Sequence, residues 1–441
     1  MLEVDWHKSK KVYFVGIGGI GVSAIARMFR GLGKEVEGCN EGQSEITDSL
    51  VEEGVKVDIG QDLGLVPRDA DLIVYSNAIK VADPGLLEGI KALGAPLLSY
   101  PEILGLISRD YEVIAVAGTH GKTTTTAMLA KIMIEAGLDP TVVVGTLLLD
   151  DSSEKRTNFV AGGGKYLLLE ADEYQRAFLN FSPSLLIITN IDLDHLDYYK
   201  DLADIQSAFV ELAQKVSADG FIICDAHNPT LAPIIAASKV KIIDYPSLGS
   251  AAADSKLALK VPGKHNLENA RAALVAAEAL GVGLSVALKA VNKFTGAWRR
   301  FEFRGIMKSG ALVYDDYAHN PQKVRAALQG AREAFPDKKI IAVFQPHLYS
   351  RIKSLFADFV ASFNDADEVI VTNIYAAREK PDPTISGASL AEAVSQTGKQ
   401  ICHLADFGQI ASRLERDTGE GDVVILLGAG DISQLADDLL S

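Results

Sequence analysis

The sequence is poor in cysteine. Its 441 residues include three, Cys39, Cys224 and Cys402, and these lie far apart. That number and spacing exclude a disulfide framework and a cysteine-based metal site, and they suit a reducing compartment. No apolar run approaches the roughly 18 residues that a membrane-spanning helix needs, and the N-terminal MLEVDWHKSKK lacks the apolar core of a signal peptide. We therefore expect a cytoplasmic protein with no membrane insertion.

Positive charge is also scarce. Lys and Arg total 43 against 58 Asp and Glu, which gives a net charge of −15. A nucleic-acid surface needs clustered Lys and Arg, so we expect no nucleic-acid partner; a local pocket can still bind an anionic ligand. With 48% hydrophobic residues and 441 positions in all, the chain is typical of a globular protein with two to four domains and ample core.

A phosphate-binding pattern lies near residue 120. The apolar run Val113–Ala117 predicts a buried strand, and the Ala- and Leu-rich stretch that follows the pattern predicts a helix. Between them stand Gly118, Thr119, His120, Gly121, Lys122, Thr123 and Thr124. Glycines let backbone N–H groups face an anion at a helix N-terminus, while Lys122 would neutralise phosphate charge and Thr123 would ligate Mg²⁺. The alternative is an ordinary glycine turn, since Val116 stands where the usual pattern has its first glycine.

A second glycine turn opens the chain. It follows the apolar segment Lys11–Val15 and fits G-x-G-x-x-G with Gly16, Gly18 and Gly21. This arrangement predicts a βαβ nucleotide-binding start, and a tight turn without a ligand is the alternative. A later strand, Asp71–Tyr75, leads into Ser76, Asn77 and Ala78, and loops at such strand ends bind ligands in parallel α/β folds. Pro96–Pro101 is expected to be an irregular connection, with the first domain ending near residue 105.

Acidic residues follow two further strands, at Tyr166–Leu169 and Leu185–Thr189. After the first come Glu170, Asp172 and Glu173, and after the second come Asp192, Asp194, His195 and Asp197. Carboxylates at the ends of buried strands, in the same segment as a phosphate loop, predict Mg²⁺ ligation; solvated acidic loops are the alternative. Asn266 and Asn269 lie near the start of an Ala-rich helix, where they either cap it or offer amides to a base.

The last third of the chain alternates strand and helix again. Strands at 311–314, 340–344, 368–372 and 422–427 are each followed by polar residues. That pattern predicts a doubly wound α/β domain with a ligand-binding edge. Two adjacent arginines, Arg299 and Arg300, precede it, and a surface pair is the alternative for them. We therefore predict an α/β protein with three domains, at 1–105, 106–296 and 297–441.

In number, order and spacing, these motifs resemble those of the Mur ligases, the ATP-dependent amide-forming enzymes of peptidoglycan synthesis. The pieces are GIGGIG, AGTHGKTTT, EADE, NIDLDHLD, GKHNLEN, GAWRRFE, DDYAHNP, FQPHLYSR and GAGDI. The resemblance covers nearly the whole chain, and FQPHLYSR and RRFE are most similar to the branch that adds L-alanine to UDP-N-acetylmuramate. It implies a Rossmann-like N-terminal UDP-sugar domain, a central P-loop ATPase domain and a Rossmann-like C-terminal amino-acid domain.

The same resemblance implies roles for individual residues, with ATP and Mg²⁺ as cofactors. For the UDP-sugar it implies Gly16, Gly18, Gly19, Gly21, Ser23, Ser76, Asn77 and Ala78. For ATP it implies the loop Gly118–Thr124 with Asn266, Asn269, Arg300 and Asp316. For one Mg²⁺ it implies Thr123 and Glu170, and for a second Mg²⁺ it implies His195. For the amino acid it implies His347, Tyr349 and Arg351, and for catalysis Lys122, His195, Arg300, His319 and His347. The expected partners are UDP-N-acetylmuramate, L-alanine and ATP, and the expected assembly is a monomer or weak homodimer.

Two other interpretations stay open. EADEY, with Tyr174, is also similar to the murein-peptide ligases, which add a preformed tripeptide to the same nucleotide sugar. The N-terminal glycine motif alone would suit an NAD-dependent oxidoreductase, but the Gly-Lys-Thr loop and the acidic loops would then have no function.

Leu348 stands where many family members have Arg, so we expect recognition of the amino-acid carboxylate to depend on Arg351. Val210 occupies the position of a carbamylated lysine in several relatives, and we expect no such modification here.

Overall fold

The computed structural model describes residues 4–149, 156–195, 198–248, 256–377 and 379–441. Within these ranges the chain forms three β-sheets flanked by helices, which confirms the α/β class. It divides into two compact units. The first consists of Met1–Ala258 with Glu268–Lys293, and the second of Leu259–Leu267 with Phe294–Ser441. The first two sheets belong to the first unit and the third sheet to the second unit.

The first sheet is parallel throughout and has the order β3-β2-β1-β4-β5. Its strands are β1 (Lys11–Val15), β2 (Glu35–Asn40), β3 (Lys56–Ile59), β4 (Leu72–Tyr75) and β5 (Leu97–Ser99). The helices are α1 (Ile20–Gly31), α2 (Glu45–Glu52), α3 (Asn77–Ala82), α4 (Pro84–Lys91) and α5 (Tyr100–Ile107). The two central strands β1 and β4 are almost entirely apolar and buried, as expected for a parallel sheet covered on both faces.

The second sheet has the order β12-β11-β10-β6-β9-β7-β8 and is parallel except for the hairpin partner β8. Its strands are β6 (Glu112–Ala117), β7 (Thr141–Leu149), β8 (Arg156–Val160), β9 (Tyr166–Glu170), β10 (Leu185–Ile188), β11 (Phe221–Cys224) and β12 (Lys241–Asp244). The helices in this part of the chain are α6 (Lys122–Glu135), α7 (Leu202–Ala213), α8 (Ala232–Ala237), α9 (Tyr245–Leu248), α10 (Lys264–Ala279) and α11 (Leu284–Asn292). Helix α1 packs against β7 and β8, so the first and second sheets share one hydrophobic core.

The third sheet has the order β13-β14-β18-β15-β16-β17, with only β13 antiparallel to its neighbour. Its strands are β13 (Glu302–Ile306), β14 (Leu312–Asp316), β15 (Ile340–Phe344), β16 (Glu368–Val371), β17 (Gln400–His403) and β18 (Val423–Leu427). Its helices are α12 (Pro321–Ala334), α13 (Tyr349–Ser354), α14 (Phe356–Val360), α15 (Gly387–Ser395), α16 (Phe407–Asp417) and α17 (Leu435–Leu440). Separate apolar clusters cover its two faces, which is the predicted doubly wound arrangement.

Short 3₁₀ helices complete the described structure. They lie at Trp6–Lys8, Leu63–Leu65, Ser108–Asp110, Tyr174–Asn180, Pro229–Leu231 and Asp431–Gln434. Across the described ranges, we find no helix whose length and apolar character would let it traverse a lipid bilayer.

The expectation of an irregular connection at Pro96–Pro101 is wrong. Leu97–Ser99 forms β5, which pairs in parallel with β4, and α5 begins at Tyr100 with a proline in its first turn. A proline is tolerated there because its missing N–H would have no partner inside the helix. Residue 105, the predicted end of the first domain, therefore lies within α5, and the two predicted domain boundaries stay predictions.

Candidate active site

The loop between β6 and α6 can be built only with glycine at two positions. Gly118 has φ +135° and Gly121 has φ +82°, and both values are costly for residues with a side chain. A Cβ atom would lie 2.1 Å from Thr189 Oγ1 at Gly118 and 2.2 Å from Asn269 Oδ1 at Gly121. The loop is held from the neighbouring strand end, because Asn190 accepts hydrogen bonds from the backbone N–H groups of Thr119 (3.0 Å) and His120 (2.9 Å).

Lys122, the first residue of α6, is engaged in a nearly buried ion pair. Its Nζ lies 2.7 Å from Glu173 Oε2 and 2.6 Å from the backbone oxygen of Gly118, and the two side chains are 12% and 2% exposed. Burial disfavours the ammonium, yet the carboxylates of Glu173, Asp172 and Glu170 raise the pKa of Lys122 above its usual value. The lysine is thus a fixed positive charge beside the glycine loop.

Thr123 and Glu170 form a second pair. The Thr123 hydroxyl donates to Glu170 Oε1 at 2.8 Å, and the backbone N–H of Gly145 in β7 donates to Glu170 Oε2 at 2.8 Å. Both groups were predicted to ligate Mg²⁺, and the structure places them in direct contact. Hydroxyl and carboxylate oxygens are suitable ligands for this cation.

His195 is grouped with a different carboxylate. Its Nε2 lies 3.5 Å from Glu173 Oε1, and the ligand atoms of Asp172, Glu173 and His195 all lie within 4.8 Å of one another. Burial lowers the pKa of His195, but contacts with Glu173 and Asp194 more than offset this and raise it. Asp197, predicted beside His195, lies outside the described residues.

These acids and His195 fit a cation. Glu173 Oε1 is buried and has no hydrogen bond among the described residues, and buried polar atoms in native proteins almost always have a partner. A bound Mg²⁺ would give Glu173 Oε1 a partner. The described residues therefore offer Thr123, Glu170, Glu173 and His195 as candidate ligands.

Glu173 was among the acidic residues noted after β9, but the sequence did not single it out as a site residue. The motif EADE contains it, but Glu170 stands directly at the end of β9 and was the obvious candidate. The chain then turns sharply, with Gln175 and Arg176 in left-handed conformations at φ +51° and +55°. Glu173 lies just before this turn, and no pattern of residue types indicates its contacts with Lys122 and His195.

The two predicted adenine-facing amides have different surroundings. Asn269 is buried, its Oδ1 accepts from Thr125 Oγ1 at 3.3 Å, and its side chain lies against Gly121. Asn266 donates through Nδ2 to the backbone oxygen of Pro262 at 2.6 Å. Asn269 therefore supports the phosphate loop, and a contact of either residue with a base stays a prediction.

The N-terminal glycine turn is also shaped by close approaches. Gly16 has φ +77°, and the N–H of Gly18 donates to Asn40 Oδ1 at 3.0 Å. A Cβ atom at Gly18 would lie 2.8 Å from Asn40, and one at Gly21 would lie 2.5 Å from the ring of Tyr100. Gly19 immediately precedes α1, so the turn leads directly into a helix N-terminus, as a phosphate-binding site requires.

The remaining residues predicted for the UDP-sugar fall into two groups. Ser76, Asn77 and Ala78 lie at the end of β4, where α3 begins, and Asn77 Oδ1 is buried with no hydrogen bond among the described residues. Ser23 is different, because it is fully buried and its hydroxyl donates to the backbone oxygen of Ile20 at 3.0 Å. The structure gives Ser23 an internal contact, so its geometry does not favour a contact with the nucleotide.

Of the two adjacent arginines, Arg299 is structural. It is 4% exposed, which excludes the surface-pair alternative for it. Its Nε lies 3.2 Å from Asp315 Oδ2, and its Nη atoms donate to the backbone oxygens of Gly430 and Gly428 at 3.0 and 2.5 Å. Burial raises the pKa of Asp315 to about 6, although Arg299 acts in the opposite direction.

Arg300 and Asp316 have different surroundings from this pair. The Arg300 guanidinium lies over the ring of Tyr317, 5.3 Å from its centroid. The two oxygens of Asp316 accept from the backbone N–H groups of Phe301 and Ala318, each at 2.8 Å. Asp316 thereby ties the segment after Arg300 to the end of β14.

His319 and His347 are neutral imidazoles in opposite tautomers. His319 Nδ1 lies 2.8 Å from the backbone oxygen of Tyr317, and since a carbonyl only accepts, Nδ1 carries the proton and Nε2 has a lone pair. His347 Nδ1 lies 3.0 Å from Nη1 of Arg351, and since guanidinium only donates, the proton of His347 is on Nε2. The ring centroids are 5.9 Å apart.

Both histidines are held uncharged. Burial lowers the pKa of His347 to about 4, with the charge of Arg351 acting in the same direction. Burial also lowers the pKa of His319 well below its usual value, followed by the charges of Lys323 and Arg351. One imidazole acceptor, one imidazole donor and a guanidinium thus lie at the ends of β14 and β15. Tyr349 is turned toward the core of the second unit and packs against it.

Comparison with known proteins gives three consecutive family matches. Residues 11–112 match the Mur ligase family, catalytic domain; residues 116–277 match the Mur ligase middle domain; and residues 299–430 match the Mur ligase, glutamate ligase domain. Together they cover most of the chain.

Full-length relatives carry a more specific name. The UDP-N-acetylmuramate–L-alanine ligase of Clostridium kluyveri is 39% identical over 459 residues, covering 99% of each chain. The protein of the same name from Caldanaerobacter subterraneus is 37% identical over 463 residues, covering 100% of this chain and 99% of the relative.

Two solved structures have the same fold over nearly their whole length. UDP-N-acetylmuramate-alanine ligase from Thermotoga maritima superimposes with a TM-score of 0.80 at 28% identity, covering 97% of this chain and 98% of that one. A murein peptide ligase from Psychrobacter arcticus gives a TM-score of 0.70 at 24% identity, covering 98% of both.

Proposed function

The chain belongs to the Mur ligase family, and we propose that it joins L-alanine to the lactyl carboxylate of UDP-N-acetylmuramate at the expense of ATP. The products are UDP-N-acetylmuramoyl-L-alanine, ADP and phosphate, in the synthesis of peptidoglycan precursors in the cytoplasm. The observation that carries this proposal is the 37–39% identity, over 98–100% of the chain, to relatives that bear that name.

The reaction needs activation of a poor electrophile. The lactyl carboxylate attacks the γ-phosphorus of ATP, a C–O–P bond forms, and ADP leaves. Because two anions must approach each other, catalysis is mainly positioning and neutralisation of charge. Lys122 provides a fixed positive charge, and the backbone N–H groups of the first turn of α6, Lys122–Thr124, would provide oriented donors.

Mg²⁺ is assigned to the cluster of oxygens and imidazole described above. Thr123 and Glu170 would hold one Mg²⁺, and His195, together with Glu173, would hold the second. When bound, Mg²⁺ neutralises phosphate charge and draws electron density from the phosphoryl oxygens. The chain's own contribution is to fix these side chains, through the N–H of Gly145 on Glu170 and through Lys122 on Glu173.

The second half of the reaction uses the amine of alanine. The amine attacks the acyl carbon, a C–N bond forms, the C–O bond to phosphate breaks, and the proton of the nitrogen is released. His319 Nε2 can accept a hydrogen bond from the amino group, since its lone pair is kept available by the contact with Tyr317. His347 Nε2–H and the guanidinium of Arg351 are donors for the alanine carboxylate.

The remaining assignments follow the family. Gly16, Gly18, Gly19 and Gly21 would face the diphosphate of the nucleotide sugar, and Ser76, Asn77 and Ala78 would line its neighbouring groups. For ATP, Asn266 and Asn269 are assigned to adenine, Asp316 to the ribose and Arg300 to the phosphates. The unsatisfied Oδ1 of Asn77 supports the first set.

The test is a panel of acceptors. Purified protein is incubated with ATP, MgCl₂, UDP-N-acetylmuramate and one acceptor. The acceptors, each tested in its own reaction, are L-alanine, glycine, L-serine and the tripeptide L-Ala-γ-D-Glu-diaminopimelate. Phosphate release is measured, and the nucleotide product is identified by mass spectrometry. We expect phosphate release that requires all three substrates and is most efficient with L-alanine.

Two results would contradict the proposal. Higher kcat/KM with the tripeptide would reassign the protein to the murein-peptide ligases, whose fold it shares. Phosphate release that does not depend on UDP-N-acetylmuramate would remove the nucleotide sugar from the reaction. Omission of each substrate in turn is the control.

A further inference from the structure

A buried asparagine connects the two nucleotide-binding regions of the first unit. Asn158 belongs to β8 and is fully buried, yet among the described residues its side chain forms hydrogen bonds only with α1. Its Oδ1 accepts from Arg27 Nη1 at 2.5 Å, and its Nδ2 donates to Ser23 Oγ at 2.8 Å and to the backbone oxygen of Ile20. The guanidinium can only donate and the carbonyl can only accept, so the orientation of the amide is determined.

The position of these contacts on α1 matters. Ile20 is the first residue of the helix, directly after the turn Gly16–Gly19. Arg27 is 7% exposed and is also bound by Glu53 at 2.8 Å. Asn158 therefore holds the helix whose N-terminus is proposed to face the diphosphate of the nucleotide sugar.

On the other side of Asn158 lies an irregularity in β7. Val143 pairs with Phe159 and Leu148 pairs with Thr157, so residues 144–147 bulge opposite Asn158 alone. The bulge turns the N–H of Gly145 toward Glu170 Oε2 at 2.8 Å, and Glu170 Oε1 accepts from Thr123 at the start of α6. A Cβ atom at Gly145 would lie 2.8 Å from Glu170 Oε2, so the close approach of the bulge to the carboxylate leaves no room for a side chain at this position.

We propose that Asn158 and the β7 bulge, residues 144–147, couple binding of the nucleotide sugar at α1 to binding of Mg²⁺-ATP at the phosphate loop. The path runs from α1 to Asn158 by side-chain hydrogen bonds, from β8 to the bulge by the strand pairing on either side of Asn158, and from Gly145 through Glu170 to Thr123 by hydrogen bonds. A ligand that shifts or holds α1 thereby shifts or holds Glu170. Asn158 is a positioning residue, and the inference rests on the proposed function, which supplies the two ligands.

The test measures binding without turnover. The affinity for AMP-PNP with MgCl₂ is determined by calorimetry, with and without saturating UDP-N-acetylmuramate. In the wild-type protein we expect the nucleotide sugar to change the Kd for AMP-PNP by about fivefold or more, the lower end of typical coupling. In Asn158→Ala both ligands should still bind, but the Kd for AMP-PNP should become independent of the nucleotide sugar.

A matched control is Asn180→Ala. Asn180 lies against Gly105 of α5, on another contact between the parts of the chain that carry the first and second sheets, and its amide donates only locally, to the backbone oxygen of Ala177. This variant should keep the wild-type coupling. If Asn180→Ala also lost the coupling, any weakening of the contact between the parts that carry the first and second sheets would be enough to abolish it. That result would overturn the specific role of Asn158.

A second variant, Gly145→Ala, approaches the same connection from the phosphate loop and keeps the inference testable if Asn158→Ala does not fold. It should also reduce the coupling, and the double variant should lose no more than the stronger single variant. Wild-type protein that binds both ligands independently, or a Gly145→Ala variant with undiminished coupling, contradicts the inference. Absence of any UDP-N-acetylmuramate binding to the wild type instead contradicts the proposed function.

Discussion

At the scale of single residues, the pair of Lys122 and Glu173 has two tasks. It places a positive charge beside the phosphate loop, and it neutralises a carboxylate that is only 2% exposed. Glu173 keeps a lowered pKa because, although burial opposes this, Lys122 and His195 stabilise its charged form. Each partner therefore depends on the other for its charge state.

Lys122→Ala should lose both activity and stability. Removal of a fixed cation from a phosphoryl-transfer site costs on the order of 3 kcal/mol in the barrier, or more than a hundredfold in rate. The unpaired Glu173 should also lower the free energy of unfolding by roughly 3 kcal/mol. Phosphate release measures the first effect, and urea unfolding of the first unit, followed by Trp6 fluorescence in a Trp298→Phe background, measures the second.

The double variant Lys122→Ala, Glu173→Gln separates them. With the buried charge gone, most of the lost stability should return, while phosphate release stays absent. Near-normal turnover in either folded protein would exclude Lys122 from phosphoryl transfer, and equal stability of the single and double variants would show that the ion pair contributes nothing to the fold.

His347 should make the protein less stable as the pH falls. Its folded-state pKa of about 4 lies below the ordinary 6.5, so between these values the unfolded chain binds more protons. The contribution of neutral His347 to the free energy of unfolding is complete above pH 6.5 and is lost as the pH falls toward 4. From pH 7 to pH 5 we expect a loss of about 1–2 kcal/mol attributable to this residue.

His347→Gln provides the comparison for that measurement, because glutamine retains an acceptor for Arg351 and does not titrate. Urea unfolding of the second unit, followed by Trp298 fluorescence in a Trp6→Phe background at pH 7 and pH 5, gives the result for both proteins, and carboxylates common to both cancel in the difference. The same pH dependence in the variant and the wild type would show that His347 is not held neutral by the fold.

Arg351→Ala should raise the KM for alanine at least tenfold and leave the KM for ATP nearly unchanged, since a charge-assisted hydrogen bond to the carboxylate is lost. Steady-state kinetics with each substrate varied in turn measure this. Arg351→Lys retains the positive charge but not the paired donors of the guanidinium, so its KM for alanine should lie between those of the wild type and Arg351→Ala. An effect confined to ATP would move Arg351 out of the amino-acid subsite.

At the scale of elements, the phosphate loop depends on a glycine for two separate reasons. Gly121 has a left-handed conformation and lies against Asn269, while Gly137, just after α6, is also left-handed at φ +73° but has no atom within 4 Å of a Cβ position. The first glycine is constrained by conformation and space, and the second by conformation alone.

Gly121→Ala and Gly137→Ala should therefore differ in a defined way. Both should lower the free energy of unfolding by about 1–2 kcal/mol, the cost of a left-handed alanine. Only Gly121→Ala should also displace Asn269 and raise the Kd for AMP-PNP, by tenfold or more. Equal nucleotide affinity in the two variants would show that the loop tolerates a side chain at Gly121.

Some elements could be predicted from the sequence and others could not. The strand, loop and helix around Gly121 follow from an apolar run, glycines and a helix-forming stretch, which are local signals. The short strand β5 was missed because its signal is three residues between prolines, and pairing with β4 decides it. The contact of Asn158 with α1 was also not predictable, since it joins residues more than a hundred positions apart.

At the scale of the whole molecule, the two tryptophans offer a convenient experiment. Trp6 lies in the first unit and Trp298 in the second. A chain of this size with two compact units is not expected to unfold in one step. Trp298→Phe leaves a reporter of the first unit, and Trp6→Phe leaves a reporter of the second.

UDP-N-acetylmuramate should stabilise the first unit selectively, because all its proposed contacts lie there. At a hundredfold excess over its Kd, linkage predicts about 2.7 kcal/mol of stabilisation. Thermal fluorescence of the Trp298→Phe protein should shift upward with the nucleotide sugar, and that of the Trp6→Phe protein should not. A single transition that shifts equally in both proteins would contradict this.

The division of the chain also limits how such a protein can be recombined. Leu259–Leu267 belongs to the second unit, although the first unit continues at Glu268. A hybrid gene with a single crossover near residue 294 would therefore take Phe294–Ser441 from one parent and Leu259–Leu267, the other segment of the second unit, from the other parent. We therefore expect an exchange of the second unit between relatives to give a folded protein only when Leu259–Leu267 and Phe294–Ser441 are transplanted together.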